Sequence, residues 1–290
     1  TRLPGKVLKK IKGVSLLEWQ LRRVRLAKTI NKIVVATGEE SENDLIEKLC
    51  RKLKISCFRG SEDDVLDRFY QCSLMYADHN VIVRLTGDCP LTDPGVIDSL
   101  VTFFRKNKFD YVSNVDSKKE TFPDGLDVEV FSAEALREAA KNATRPSDRE
   151  HVTPWIKRSR KFTKHFPSAP HDFSHFRLTV DEPEDFEVVQ YLIERAHISD
   201  DYLTLITILT RRPDFMLKNM HIVRNEGYAN SVKKEGDKRT RVRARRGGGG
   251  ASRVIVLTAP KSSGRSQELQ DPSLKPSPRE GLGGSRSDPA

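Results

Sequence analysis

At 290 residues the chain can hold one large domain or two small ones. Its formal charge of +10 is unevenly placed, because residues 233–290 carry 14 Lys+Arg against 6 Asp+Glu and residues 1–232 carry 37 against 35. A nearly neutral main part gives no case for a specific nucleic-acid surface on it, and no apolar run approaches the roughly 20 residues of a membrane helix.

Four cysteines, Cys50, Cys57, Cys72 and Cys89, form no CxxC pair and have no histidine at zinc spacing. A reducing cytoplasm is therefore the expected compartment. In chain order, TRLPGKVLKKIKG (1–13) reads as a loop broken by Pro4 and Gly5. A helix is predicted over Val14–Ala27, a strand over Asn31–Thr37, a helix over Glu42–Leu53 and a strand over Lys54–Phe58. A helix over Asp63–Ala77 follows, then the strand in NVIVRLT, a helix over Pro94–Lys106 and a strand over Phe109–Ser113. Strands alternating with helices of this length predict an α/β fold with a mainly parallel sheet.

The second half is less regular. LDVEVF (126–131) alternates as a strand does, and Ala133–Asn142 reads as a helix. Ser147 stands three residues before Glu150, as in a capping box. Phe162–Phe166 and Phe176–Val180 read as strands, Pro183–Arg195 and Tyr202–Arg211 as helices. From Lys233 the composition turns to Arg, Gly, Ser and Pro with few periodic apolar residues, so 233–290 is expected to be a disordered tail.

Chemistry concentrates in three stretches. NVIVRLTGDCPLTDP (80–94) ends an apolar strand at Gly87-Asp88, where open α/β sheets bind ligands, outside the carboxyl ends of the strands. An aspartate in such a turn also serves as a plain turn former or helix cap. Asp181 likewise follows an apolar run, and its alternative role is to cap the helix that starts near Pro183. If both lie on one edge of the sheet, Asp88 and Asp181 make a candidate pair of oxygen ligands for magnesium. TRLPGK would supply the phosphate-binding element: glycine permits close backbone approach, and Arg2 and Lys6 can bracket a polyphosphate. It is not a Walker loop, and taken alone the hexapeptide reads more simply as a solvated basic loop. The acidic runs GSEDDVLDRF and DGLDVEV can be dipole complements at helix starts, and His151 a packed histidine.

Eight blocks, TRLPGKVL, GSEDDVLDRF, RLTGDCPLTDP, YVSN, FPDGLDVEVFS, REHVTPWI, VDEPEDFEVV and NEGY, occur in the order seen in cytidylyltransferases of the spore coat polysaccharide biosynthesis protein F type. The chain resembles that family over residues 1–232, and the family is similar to the synthetases of CMP-Kdo and CMP-sialic acids. The resemblance implies a three-layer α/β/α, Rossmann-like nucleotide-diphospho-sugar transferase fold with a mainly parallel mixed sheet. It implies transfer of CMP from CTP to a sugar or sugar acid, with Mg2+ as cofactor. By position, it places Arg2, Gly5, Lys6, Gly87 and Asp88 on the nucleotide and makes Lys6, Arg2 and Asp88 the catalytic groups. Asp88 and Asp181 become the metal ligands, and Asp127, Glu129, Arg149 and His151 line the acceptor side. Relatives carry a strand before TRLPGK, so the sheet of the 1–232 domain is expected to lack its central first strand. Two alternatives stay open: the same fold with another nucleotide or acceptor, and a non-catalytic fragment whose KRTRVRARR segment binds nucleic acid through phosphates. No stacking aromatics are interleaved with that segment. A homodimer is compatible with the family, and no membrane partner is expected.

Overall fold

The structure, a computed structural model, describes residues 5–115, 119–224, 228–229, 231–233 and 253–258. A turn of 3₁₀ helix at Lys6–Leu8 leads into a hairpin of β1 (Lys10–Ile11) and β2 (Val14–Ser15). Helix α1 (Leu16–Val24) follows, with the Ser15 hydroxyl capping it through the Glu18 N–H. The predicted helix from Val14 therefore starts two residues later. Next come β3 (Ile30–Gly38), α2 (Asp44–Leu53), β4 (Ser56–Gly60), α3 (Val65–Leu74), β5 (Val81–Thr86), α4 (Pro94–Asn107) and β6 (Tyr111–Ser113). The remainder is β7 (Glu129–Ser132), α5 (Ala133–Asn142), α6 (Pro146–His151), α7 (Pro154–Arg158), β8 (Lys164–His165), α8 (Pro183–Arg195), α9 (Tyr202–Thr210), α10 (Pro213–Met216) and β9 (Arg253–Thr258).

Seven strands form one sheet in the order β4-β3-β9-β5-β7-β6-β8. The pairings β3–β4 and β6–β8 are parallel, and β9 and β7 run against their neighbours. Five strands thus point one way and two the other, so the sheet is mixed, with two of its six pairings parallel. The period-2 alternation of strands sorts their side chains onto two faces. Val35, Val83 and Val130 pack against α1, α2 and α4, while Val34, Ala36, Ile82 and Phe131 pack against α3 and α5. The result is the expected three-layer α/β/α arrangement. A third apolar cluster joins Leu91, Leu126, Phe176, Leu178 and Val180 to α8 and α9.

Three expectations need correction. β9, from the stretch expected to be disordered, lies between β3 and β5, pairing with both from Ile30↔Thr258 to Ala36↔Arg253 and from Ile82↔Leu257 to Thr86↔Arg253. Disorder over 233–290 therefore does not hold for 253–258, and most of the rest lies outside the described residues. The physical reason is a backbone one, since two facing central strands would otherwise leave a row of unpaired N–H and C=O groups. Second, Phe176–Val180 forms no strand beyond a bridge from Arg177 to Asp124. Third, Ser147 does not cap α6; Arg145 takes the cap position and Pro146 the first turn.

Candidate active site

The edge formed by the carboxyl end of β5 is built by short-range constraints. Gln20 of α1 donates to the Thr86 carbonyl at 2.7 Å and to Thr92 Oγ at 3.2 Å, and Arg23 Nε donates to the Thr92 carbonyl at 2.9 Å. These bonds hold the loop from Gly87 to Thr92 against α1. The cap of α4 is Asp93, which accepts from the Gly95 and Val96 N–H groups. Asp88 is thus released from capping. Its carbonyl accepts from the Val180 N–H at 2.9 Å and from Thr179 Oγ at 3.1 Å, which docks the Thr179–Asp181 segment beside it. Gly125 at φ 97° belongs to the same construction: a Cβ there would lie 2.4 Å from the Thr179 nitrogen and 2.5 Å from the Leu178 carbonyl carbon.

Capping also resolves the ambiguity in DEPED. Glu182 is the N-cap of α8, and Asp185 reaches back to the Asp181 and Glu182 N–H groups at 2.9 and 3.0 Å. The Asp181 side chain is left to face the sheet edge. There Lys6, placed by Gly5 in a left-handed conformation (φ 64°), lies between the two aspartates. Its Nζ is 2.6 Å from Asp181 Oδ1 and 3.0 Å from Asp88 Oδ2. Burial disfavours the Lys6 charge, but Asp88 and Asp181 outweigh it and raise its pKa. Burial likewise opposes the Asp88 charge, and Lys6 overcomes it, holding that carboxyl far below the usual range. Two aspartate side chains and a lysine thus converge on one point. Cys89 next door has its thiol pushed up by burial and then by Asp88, so it is no nucleophile.

A second ring of charge supports the first. Arg177 donates to Asp181 Oδ2 at 2.8 Å, to both oxygens of Asp185 at 2.8 and 3.1 Å, and to Asp124. Arg224 donates to the Phe122 carbonyl at 2.9 Å and to Asp127 at 2.7 Å and pairs with Glu120. Burial, followed by Asp127, raises the Asp124 carboxyl to about 7, with Arg224 and Arg177 opposing the shift. Sequence reasoning missed Arg177, Asp124, Asp185 and Arg224. A signal for Arg177 existed, since a cation inside the apolar run FRLTV needs buried partners.

The structure thus brings Gly5, Lys6, Asp88 and Asp181 together, with the buried Gly87 beside Asp88. Arg2 lies outside the described residues. Asp127 reaches the supporting ring through Arg224. The other three acceptor-side candidates are engaged elsewhere. Arg149 grips Asp64 at 2.5 and 2.9 Å and the Ala140 carbonyl, tying α6 to α3 and α5. His151 contacts Ser231 and stacks edge-on against Tyr228. Glu129 is a buried hub that accepts from Tyr111 Oη and Thr153 Oγ at 2.6 Å and pairs with Arg84 and Lys157.

Burial pushes the Glu129 carboxyl up, but Lys157 and Arg84 prevail and hold it below its ordinary 4.5. Glu129→Gln should cost about 2 kcal/mol at neutral pH, the scale of a hydrogen bond to a charged group, seen as a lower urea midpoint. A depressed carboxyl stabilises above its unfolded value and loses that contribution as pH falls through the folded value. The gap between variant and wild type should therefore begin to narrow as pH falls below 4.5 and close only at the much lower folded value. An equal deficit at neutral and acid pH would contradict the charged role.

Comparison with known proteins decides the class. The signature of the family described as cytidylyltransferase matches residues 1–226, which span Lys6, Asp88 and Asp181. The chain belongs to the cytidylyltransferase family. This cytidylyltransferase-family chain is 34% identical over 226 residues to the spore coat polysaccharide biosynthesis protein SpsF of Bacillus subtilis, covering 74% of this chain and 91% of that protein. It is also 34% identical over 109 residues to an 8-amino-3,8-dideoxy-manno-octulosonate cytidylyltransferase of Shewanella amazonensis, covering 37% of this chain and 44% of that protein. Among solved structures, a cytidylyltransferase from Leptospira borgpetersenii superposes with a TM-score of 0.70 at 32% identity, over 74% of this chain and 91% of that one. Among the described residues, no helix of this cytidylyltransferase is long and apolar enough to cross a membrane.

Proposed function

We propose that this chain transfers CMP from CTP to a hydroxyl of a sugar acid of the octulosonate or nonulosonate type and releases pyrophosphate. The observation that carries this reading is the convergence of Lys6, Asp88 and Asp181 on one point at the carboxyl edge of the sheet. Family membership supports the nucleotidyl transfer. The activity named for the Shewanella relative and the polysaccharide role named for the Bacillus one support the class of acceptor.

The same point fits magnesium. Two hard carboxylate oxygens already hold a cation there, in the form of the Lys6 ammonium. Among the described residues no cluster of three or more His, Cys, Asp or Glu forms a closed cage. Magnesium usually takes one or two carboxylates and completes its shell with phosphate oxygens and water. Asp88 and Asp181 would be its ligands, and the ion would supply charge neutralisation at the triphosphate.

In the reaction the acceptor oxygen bonds to the α-phosphorus, the bond from that phosphorus to the bridging oxygen breaks, and the hydroxyl proton leaves to solvent. The chain's part is placement and electrostatics. Lys6, with Arg2, meets the charge that builds on the leaving pyrophosphate. Gly5 lets the backbone come close to the phosphates. Arg177 fixes the direction of Asp181, and Asp127 with Arg224 borders the acceptor side. Incubating the protein with CTP, magnesium and a panel of 3-deoxy-octulosonic and nonulosonic acids should release pyrophosphate with at least one acid. Release that needs no acceptor, or none with any acid, would reject the assignment of acceptor.

A further inference from the structure

The Lys6 ammonium and a divalent ion cannot share one position. Nζ is already within 3.0 Å of Asp88 Oδ2 and 2.6 Å of Asp181 Oδ1. Magnesium would need those oxygens at about 2.0–2.1 Å and would repel an ammonium held at the same point. The backbone beneath Lys6 is anchored. Val7 is buried in the core, and the Leu8 and Lys9 N–H groups bond to the Gly5 and Lys6 carbonyls at 3.0 Å. The four-carbon stem of the side chain is therefore the part able to move. Asp181 keeps its direction when the lysine leaves, because Arg177 holds its second oxygen at 2.8 Å.

We propose that Lys6 has two seats. In the free protein it fills the cation seat between Asp88 and Asp181. When metal and nucleotide enter together, it moves onto the phosphates. The proposal rests on the reading of Asp88 and Asp181 as metal ligands and adds a coupling that this reading does not require. Metal alone must displace a half-buried ion pair, so it binds the free protein weakly. Nucleotide brings the phosphates that receive Lys6, so metal and nucleotide bind cooperatively. Linkage makes the effect reciprocal.

The signature is an opposite sign in two measurements on one variant. Lys6→Met should bind Mn2+ in the absence of nucleotide more tightly than wild type, by about tenfold on the scale of typical coupling. CTP should then improve Mn2+ affinity less in the variant than in wild type. A lysine whose only task is to hold phosphate predicts no gain in metal affinity when it is removed. Free Mn2+ counted by electron paramagnetic resonance in a titration gives the affinity without any turnover. Should Lys6→Met fold poorly, Lys6→Gln keeps a polar group near both carboxylates, and its melting temperature should rise with Mn2+ more than that of wild type. Equal or weaker Mn2+ binding by the variants, with metal still bound by wild type in the presence of CTP, would overturn the two-seat proposal and leave the metal site standing. No Mn2+ bound by any of the proteins, with or without CTP, would overturn both.

Discussion

Replacing Asp88 by asparagine is expected to lower pyrophosphate release by about 10²–10³, or roughly 3–4 kcal/mol of transition-state stabilisation, while the protein still folds. The amide keeps the shape of the side chain and loses its charge. The main-chain contacts of residue 88 with Thr179 and Val180 do not depend on the carboxylate. Lys6 keeps Asp181 as a partner at 2.6 Å, so the variant does not strand an unpaired buried cation. The loss should fall on kcat at saturating CTP, because the missing charge matters most where the reacting phosphoryl group is neutralised. A variant with wild-type turnover and wild-type folding would remove Asp88 from the chemistry.

The second large effect is expected far from any reacting group. Val256 is registered opposite Ile33 of β3 and Val83 of β5, in the middle of the sheet. Proline at that position removes a ladder donor and fits badly in a central strand. Val256→Pro should therefore destabilise the protein by about 1–3 kcal/mol, the cost of a buried ladder acceptor left unsatisfied, which for a domain of this size lowers the melting temperature by roughly 2–12 °C. Thermal unfolding followed by circular dichroism reads it directly. An unchanged melting temperature would mean that the centre of the sheet does not depend on 253–258.

That strand also marks where the sequence was hardest to interpret. Val254–Leu257 is an apolar run of ordinary strand length, but it lies between RARRGGGG and a Ser- and Pro-rich stretch, and composition averaged over the window concealed it. Elements with clean periodicity and clear ends were legible: α5 and α8 occupy the residues their patterns predict. Phe176–Val180 misled because its apolar residues serve the third cluster and its backbone docks beside Asp88 instead of joining a ladder. At the site, Asp88, Asp181 and Lys6 could be proposed from position alone. Arg177 signalled only that it needs buried partners; which they are was not legible, since they include Asp124, 53 residues earlier in the chain. Glu129 lies in the same block as Asp127, and only the fold separates a hub buried beneath Lys157 from a side chain tied to Arg224.

The proposed magnesium-dependent CTP site is tested by the melting temperature with CTP, UTP, ATP and GTP in turn, each with and without magnesium. A ligand that binds only the native state adds about 2.7 kcal/mol at a hundredfold excess over Kd. The expected result is a rise with CTP that requires magnesium and exceeds that with the other three nucleotides. No rise with CTP, or an equal rise with all four, would contradict it.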